Sequence, residues 1–257
     1  MGTSTTAIDS IHDLQPQLAN CRAYWLGWGS ADDVHADLPV YRSVVPRPLL
    51  NGVLRLRGRR VAQVLPEVRE RLAGTPWLWW AGADSDPAVG DDLRAEGATE
   101  VQTLPVMALS LDRIPETPLP AGTRIDRVTD AADITAYVEA YAPPLGVTGT
   151  AVAATVEGEL HRSARYDDLL RFAARIDGRV VGTAAVSISN GVAGIYVVAT
   201  DARYRRRGIG AAVTGAALRA ARYRGLRVAT LQASPAGEPV YRRLGFRTVG
   251  SYRLFRF

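Results

Sequence analysis

Ile195-Tyr196-Val197-Val198-Ala199-Thr200-Asp201-Ala202-Arg203-Tyr204-Arg205-Arg206-Arg207-Gly208-Ile209-Gly210 decides how the rest of the chain is read. Its first six residues are apolar or β-branched and predict a buried strand. The run breaks at Asp201 into a basic turn that closes on Gly208 and Gly210. Beyond it, Ile209, Val213, Ala216, Ala217 and Ala220 recur at helical spacing. A strand, a glycine turn and a helix N-terminus follow one another. The first turn of a helix has N–H groups without intrahelical partners, and its dipole adds positive potential. Glycines let an anion approach those amides closely, and Arg203, Arg205, Arg206 and Arg207 stand beside them. The natural occupant is a diphosphate.

Two phosphate-binding motifs fail on inspection. A Walker loop ends in Gly-Lys-Ser/Thr, and this chain contains no lysine. The dinucleotide fingerprint asks for a third small residue, where Gly208-Ile209-Gly210 is followed by Val213. Arg205-Arg206-Arg207-Gly208-Ile209-Gly210 instead resembles motif A of the GNAT superfamily of acyl-CoA-dependent N-acetyltransferases, Arg/Gln-x-x-Gly-x-Gly/Ala after a bulged strand. Pro239-Val240-Tyr241-Arg242-Arg243-Leu244-Gly245-Phe246 is similar to motif B of the same family, at the family's distance. The resemblance covers roughly residues 123–257.

It implies a GNAT fold: a mixed α/β chain with a mostly antiparallel, twisted sheet flanked by helices. It also implies acetyl-CoA as cosubstrate. Backbone groups of Val198, Ala199 and Thr200 would hold the pantetheine arm. The turn Arg205, Arg206, Arg207, Gly208, Ile209, Gly210 and Ala211 would hold the pyrophosphate. Tyr241 would be the general acid for the departing thiolate, with packing against CoA as its alternative. Ser234 stands where many relatives have an asparagine that touches pantetheine. The general base is not implied by any motif. The family's position on the strand before motif A offers only Tyr196, while Glu157, Glu159, His161, Asp167 and Asp168 lie in a region without a motif.

Composition sets the frame. The 257 residues, 47% hydrophobic and 22% charged, are those of a globular chain. No apolar run approaches a membrane span, and no signal peptide is visible. One cysteine, Cys21, excludes an internal disulfide and fits a cytoplasmic protein, as an inert residue rather than a nucleophile. The net charge of +5 raises a nucleic-acid reading. The basic residues are all arginine and are not in one block, so neither nucleic acid nor a membrane is an expected partner; a small-molecule amine is, and a homodimer is allowed. His12, His35 and His161 are scattered, so no metal site is expected.

Taken in order, residues 1–20 read as a flexible tail with a short helix near Ile8 to Leu18. Trp25 and Trp28 read as core packing of a small domain. Val61 to Leu72 reads as an amphipathic helix, Thr75 to Ala81 as a buried strand, Ala88 to Glu96 as a helix ending at Gly97, and Val101 to Leu111 as a strand. This order repeats after Val228: strand, Ser234-Pro235 turn, helix, Gly245-Phe246, strand. Gly97 and Gly245 lie 148 residues apart, which points to two copies of one unit. The first copy has only Arg57-Gly58-Arg59-Arg60 in place of the glycine turn and resembles the degenerate half of tandem GNAT proteins. The expected organisation is a tail (1–20), a degenerate GNAT-like domain (21–113), a Pro-rich linker (114–122) and a catalytic domain (123–257). In the last, Thr123 to Val128 is a strand and Asp130 caps a helix over Ala131 to Tyr141. Val147 to Arg165 is helix and loop, and Asp177-Gly178 joins a hairpin. Three functions share this reading: an N-acetyltransferase, the same fold with another donor (a longer acyl-CoA, acyl carrier protein or aminoacyl-tRNA), and a non-catalytic acyl-CoA-binding module.

Overall fold

The computed structural model describes residues 6–30 and 32–257. The first half runs α1 (Leu14–Leu26), β1 (Val40–Arg42), β2 (Asn51–Val53), α2 (Val61–Arg71), β3 (Leu78–Ala81), α3 (Val89–Ala95) and β4 (Thr99–Ser110). The second runs β5 (Thr123–Val128), α4 (Ala131–Tyr141), α5 (Thr150–Arg165), β6 (Leu169–Ile176), β7 (Arg179–Ser189), β8 (Val192–Thr200), α6 (Ile209–Tyr223), β9 (Val228–Gln232), α7 (Glu238–Arg243) and β10 (Arg247–Arg256). Among the described residues no helix is long and apolar enough to cross a membrane.

Local chemistry places most of these elements. Asp130 accepts a hydrogen bond from the Asp133 N–H and starts α4. Asp177 and Gly178 both take positive φ, as a two-residue hairpin turn requires. α1 departs from the expected tail: Leu14 to Asn20 are helical, and the helix continues to Leu26. Its polar residues Gln17, Asn20 and Arg22 are buried along with Leu18 and Cys21, so the helix lacks the apolar stripe that pattern reading depends on. β1 and β2 have three residues each and carry no period-2 signal.

All ten strands join one sheet in the order β1-β2-β3-β10-β4-β9-β8-β7-β6-β5. The pairs β2–β3 and β8–β9 are parallel, each linked through a crossover helix, α2 or α6. The end strands are exchanged. β4, from the first half, pairs with β9 of the second, and β10, from the second half, pairs with β3 of the first. β4 and β10 lie side by side, antiparallel, at the centre. The order antiparallel pair, crossover helix, parallel strand, short helix, exchanged strand therefore occurs twice.

Helices cover both faces. Leu170, Phe172, Ile195, Met107 and Leu109 pack against α6 and α7, while Trp79 and Phe255 pack against α2 and α3 on the same side. The other face carries α1, against Trp80, Leu104, Tyr252 and Leu254, and α4 with α5, against Ala173 and Ala199. α1 also bridges the halves. Asn20 Nδ2 donates to the carbonyls of Ser187, Ser189 and Val192, and Asn20 Oδ1 accepts from the Tyr196 hydroxyl at 2.8 Å. Asn20→Leu strands these buried acceptors and is expected to cost about 2–4 kcal/mol. On a chain of this size that is a melting temperature lower by about 5–15 °C in thermal denaturation; a drop under about 2 °C would show that the clamp carries no load.

Candidate active site

β8 is the element from which the site is built. It pairs with β7 on one edge, through a bulge between Thr183 and Ala185 at which Val197 takes φ +53°. The Thr183 hydroxyl donates to the Val197 carbonyl, satisfying the bulge. On its other edge β8 meets β9 only at Ala193 and Gly194; beyond that point the two parallel strands splay apart. The Asp201 N–H donates to the Val181 carbonyl, which fixes the alternation: Ala199 faces β7, and the backbone groups of Thr200 and Val198 face the splay.

The turn that follows is built for an anion. Gly208 has φ +83°, a conformation that Cβ-bearing residues avoid, and α6 starts at the next residue. The first intrahelical-type bond is from the Ala212 N–H to the Gly208 carbonyl. The amides of Arg206 to Ala211 have no backbone acceptor among the described residues. A Cβ on Gly210 would sit 3.5 Å from the Thr200 hydroxyl oxygen, so the turn lies against the end of β8. The arginines divide. Arg203 pairs with Asp201 at 2.9 Å and holds its carboxyl down at about 2. Arg205 Nε reaches the Thr200 carbonyl at 3.4 Å, and the Arg207 guanidinium stacks on Tyr204. The larger surface cleft beside this turn, about 610 Å³, is lined by Arg175, Arg179 and Arg205, of which the first two already pair with Asp133 and Asp201.

A cavity of about 360 Å³ opens at the splay. Val197 and Val198 line it from β8, Gln232 and Ser234 from β9 and the turn after it, and Tyr241 from α7. Tyr241 is buried, which pushes its phenol well above the usual tyrosine range. Its hydroxyl has no hydrogen-bond partner among the described residues, so it is a protonated, unspent donor. The Ser234 hydroxyl is engaged: it accepts from the Gly237 N–H at 3.2 Å and shapes the turn into α7.

With that geometry in place, residues 136–246 match the sequence profile of the acetyltransferase (GNAT) family. That stretch is similar to a GNAT domain and spans less than half of the chain. Similar solved structures include a GCN5-related N-acetyltransferase from Kribbella flavida, 21% identical over 94% of each chain with a TM-score of 0.71. Another from Sphaerobacter thermophilus is 22% identical over 77% of this chain and 66% of its own, at 0.62. A tandem GNAT protein from the clavulanic acid biosynthesis pathway, without acetyl-CoA, is 16% identical over 85% of this chain and 77% of its own, at 0.58. These establish the GNAT fold, with tandem arrangements among its relatives. No curated protein matches the chain.

The far wall of the cavity comes from outside the GNAT motifs. Tyr24, Trp25 and Trp28 of and just after α1, Trp80 of β3, and Gln102 and Leu104 of β4 all line it. Trp25 and Trp28 are thus more than the packing residues the sequence suggests: each presents a surface to the cavity. Tyr196 lines it too, stacked on Tyr24 with ring centroids 3.6 Å apart. Burial and the bond to Asn20 keep the Tyr196 phenol neutral, so it is no base.

None of the carboxylate candidates reaches the cavity. Glu157, His161, Asp167 and Asp168 are exposed elsewhere. Glu159 is buried, but Arg171 grips it at 2.6 Å, Arg162 stands at 3.5 Å, and the Tyr141 hydroxyl donates to it at 3.3 Å. The pair closes the floor beneath Tyr141. Cys21 is also silent, its thiol pushed by burial up to about 12.

The first half has no open counterpart. β2 and β3 pair at Gly52 and Val53, and the loop after β3 then fills the place where they would part. The Leu56 N–H donates to Ser85 Oγ, the Asp86 N–H to the Leu56 carbonyl at 2.9 Å, and the Gly58 N–H to Asp86 Oδ2 at 2.7 Å. Asp84, in the same loop, forms a buried ion pair with Arg22 of α1. The strand edge is satisfied internally.

Proposed function

We propose that the protein transfers an acetyl group from acetyl-CoA to the primary amine of a small molecule, by direct attack in a ternary complex. One observation carries this reading. An open strand edge, a run of unpartnered amides at a helix N-terminus and a protonated Tyr241 border one continuous splay. Val198 and Thr200 pair with the pantetheine arm, with Ala199 as the residue between them. The amides from Arg206 to Ala211 bind the pyrophosphate, while the Arg205 N–H is held by the Ala202 carbonyl. The neutral amine nitrogen attacks the thioester carbonyl, the new C–N bond forms and the C–S bond breaks; Tyr241 gives its proton to the departing thiolate, the nitrogen sheds its surplus proton to solvent, and solvent reprotonates Tyr241. Ser234 lines the cavity, its hydroxyl oxygen accepting from the Gly237 N–H and its proton free to donate to the pantetheine arm.

The first experiment is thiol release from acetyl-CoA with a panel of amines, alongside the thermal shift induced by acetyl-CoA. Stabilisation with amine-dependent release supports the reading. Stabilisation without release from any amine favours a non-catalytic acyl-CoA-binding module, and no stabilisation points to another donor. The filled splay of the first half adds a second expectation. Acetyl-CoA should bind with a stoichiometry of one per chain in calorimetric titration; two sites of similar affinity would contradict it.

A further inference from the structure

Among the described residues, no Asp or Glu lines the cavity beside Tyr241. Besides Tyr241, its aromatic lining comes from Tyr24, Trp25, Trp28, Trp80, Tyr141 and Tyr196. The nearest buried carboxylate, Glu159, is committed to Arg171 and Arg162 behind Tyr141. Arg47 is the one charged lining residue, and it stands at the mouth beside exposed Leu49 and Leu145. Deeper in, Gln232 has its side-chain nitrogen buried without a partner.

These features sort amines by charge. A cation moved into a cavity loses part of its hydration, and without a counter-charge that loss is only partly repaid. Aromatic faces return part of it for one well-placed ammonium. A single amine can shed its proton to solvent and enter neutral, which is also the nucleophilic form. A second or third ammonium on the same molecule has nothing to meet it. Flat apolar bodies, in contrast, gain in proportion to the apolar area they bury against such walls.

We infer that the acceptor is a monoamine carried on a flat, apolar body, an arylalkylamine in kind, recognised by the aromatic wall of the first half. At most one anionic or carbonyl group accompanies it, matched to Arg47 or to the unpartnered Gln232 nitrogen. Polyamines and aminoglycosides are rejected. This rests on the acetyltransferase reading above.

The test compares phenethylamine with spermidine and kanamycin in the thiol-release assay. The expected kcat/KM is at least 100-fold higher for phenethylamine; equal or better turnover of either polycation overturns the inference. A direct titration separates its failure from that of the acetyltransferase reading. Trp25, Trp28 and Trp80 report on the cavity, so phenethylamine should quench tryptophan fluorescence saturably whether or not acetyl-CoA binds, and spermidine should not. Absence of both quenching and turnover by phenethylamine rejects it. Leu50→Glu, which places a carboxylate on the half-buried rim of the cavity, should raise the spermidine-to-phenethylamine ratio of kcat/KM at least tenfold; an unchanged ratio also counts against it.

Discussion

Gly208→Glu is expected to abolish acetyl-CoA binding while leaving the fold intact. A Cβ at Gly208 meets nothing closer than Pro120 at 3.9 Å, so the side chain has room. The positive φ of +83° charges any L-residue about 1–2 kcal/mol, which the chain tolerates. The carboxylate is another matter. It lies among the amides proposed to hold two phosphates, where like charges about 4 Å apart repel by about 4 kcal/mol at a surface dielectric. Affinity should fall at least 100-fold in calorimetry. Gly208→Ala carries the strain without the charge and should lose under tenfold. If the glutamate variant binds within threefold of the parent protein, the pyrophosphate is not held at this turn.

Tyr241→Phe should lower kcat by about 10²–10³ with acetyl-CoA affinity within threefold of the parent. The hydroxyl is the only group removed, and it holds no protein partner whose loss could disturb packing. Burial raises the phenol, so it is protonated across neutral and moderately alkaline pH and remains a donor there. The sign of that shift gives a second readout: Tyr241 should contribute no falling limb to the kcat profile below about pH 10. An unchanged kcat would remove Tyr241 from the chemistry and leave it as a packing residue.

Much of the second half was legible before any coordinates, because its elements obey local rules. Asp130 starts α4, Asp177-Gly178 turns the hairpin, Gly208 starts α6, and the recurrence of Gly97 at Gly245 marks a repeated unit. What was not legible depends on tertiary partners. α1 is buried by its polar side as well as its apolar side: Asn20 and Arg22 find partners on distant segments while Gln17 ties down the turn before the helix, and nothing in their own sequence says so. The cavity wall fails for a similar reason. Trp25, Trp28 and Trp80 are read correctly as residues that bury area, and only the sheet order brings one surface of each to face Tyr241. The one available signal was the density of tryptophans in a half without a phosphate turn. The missing base is also informative. The carboxylates Glu157, Asp167 and Asp168 were offered by proximity in sequence, and helix α5 with its exposed end carries them away from the cavity.

The exchanged end strands constrain how the chain can be made. β3 and β4 leave between them a gap that Arg247 to Arg256 fills. Without that strand, β3 and β4 each present a bare edge to the gap, of the kind that recruits other chains. Long-range pairing of this sort is slow to form. A chain that lacks β10 is therefore the aggregation-prone species, and Arg247 to Arg256 act as the closure of a fold begun more than two hundred residues earlier.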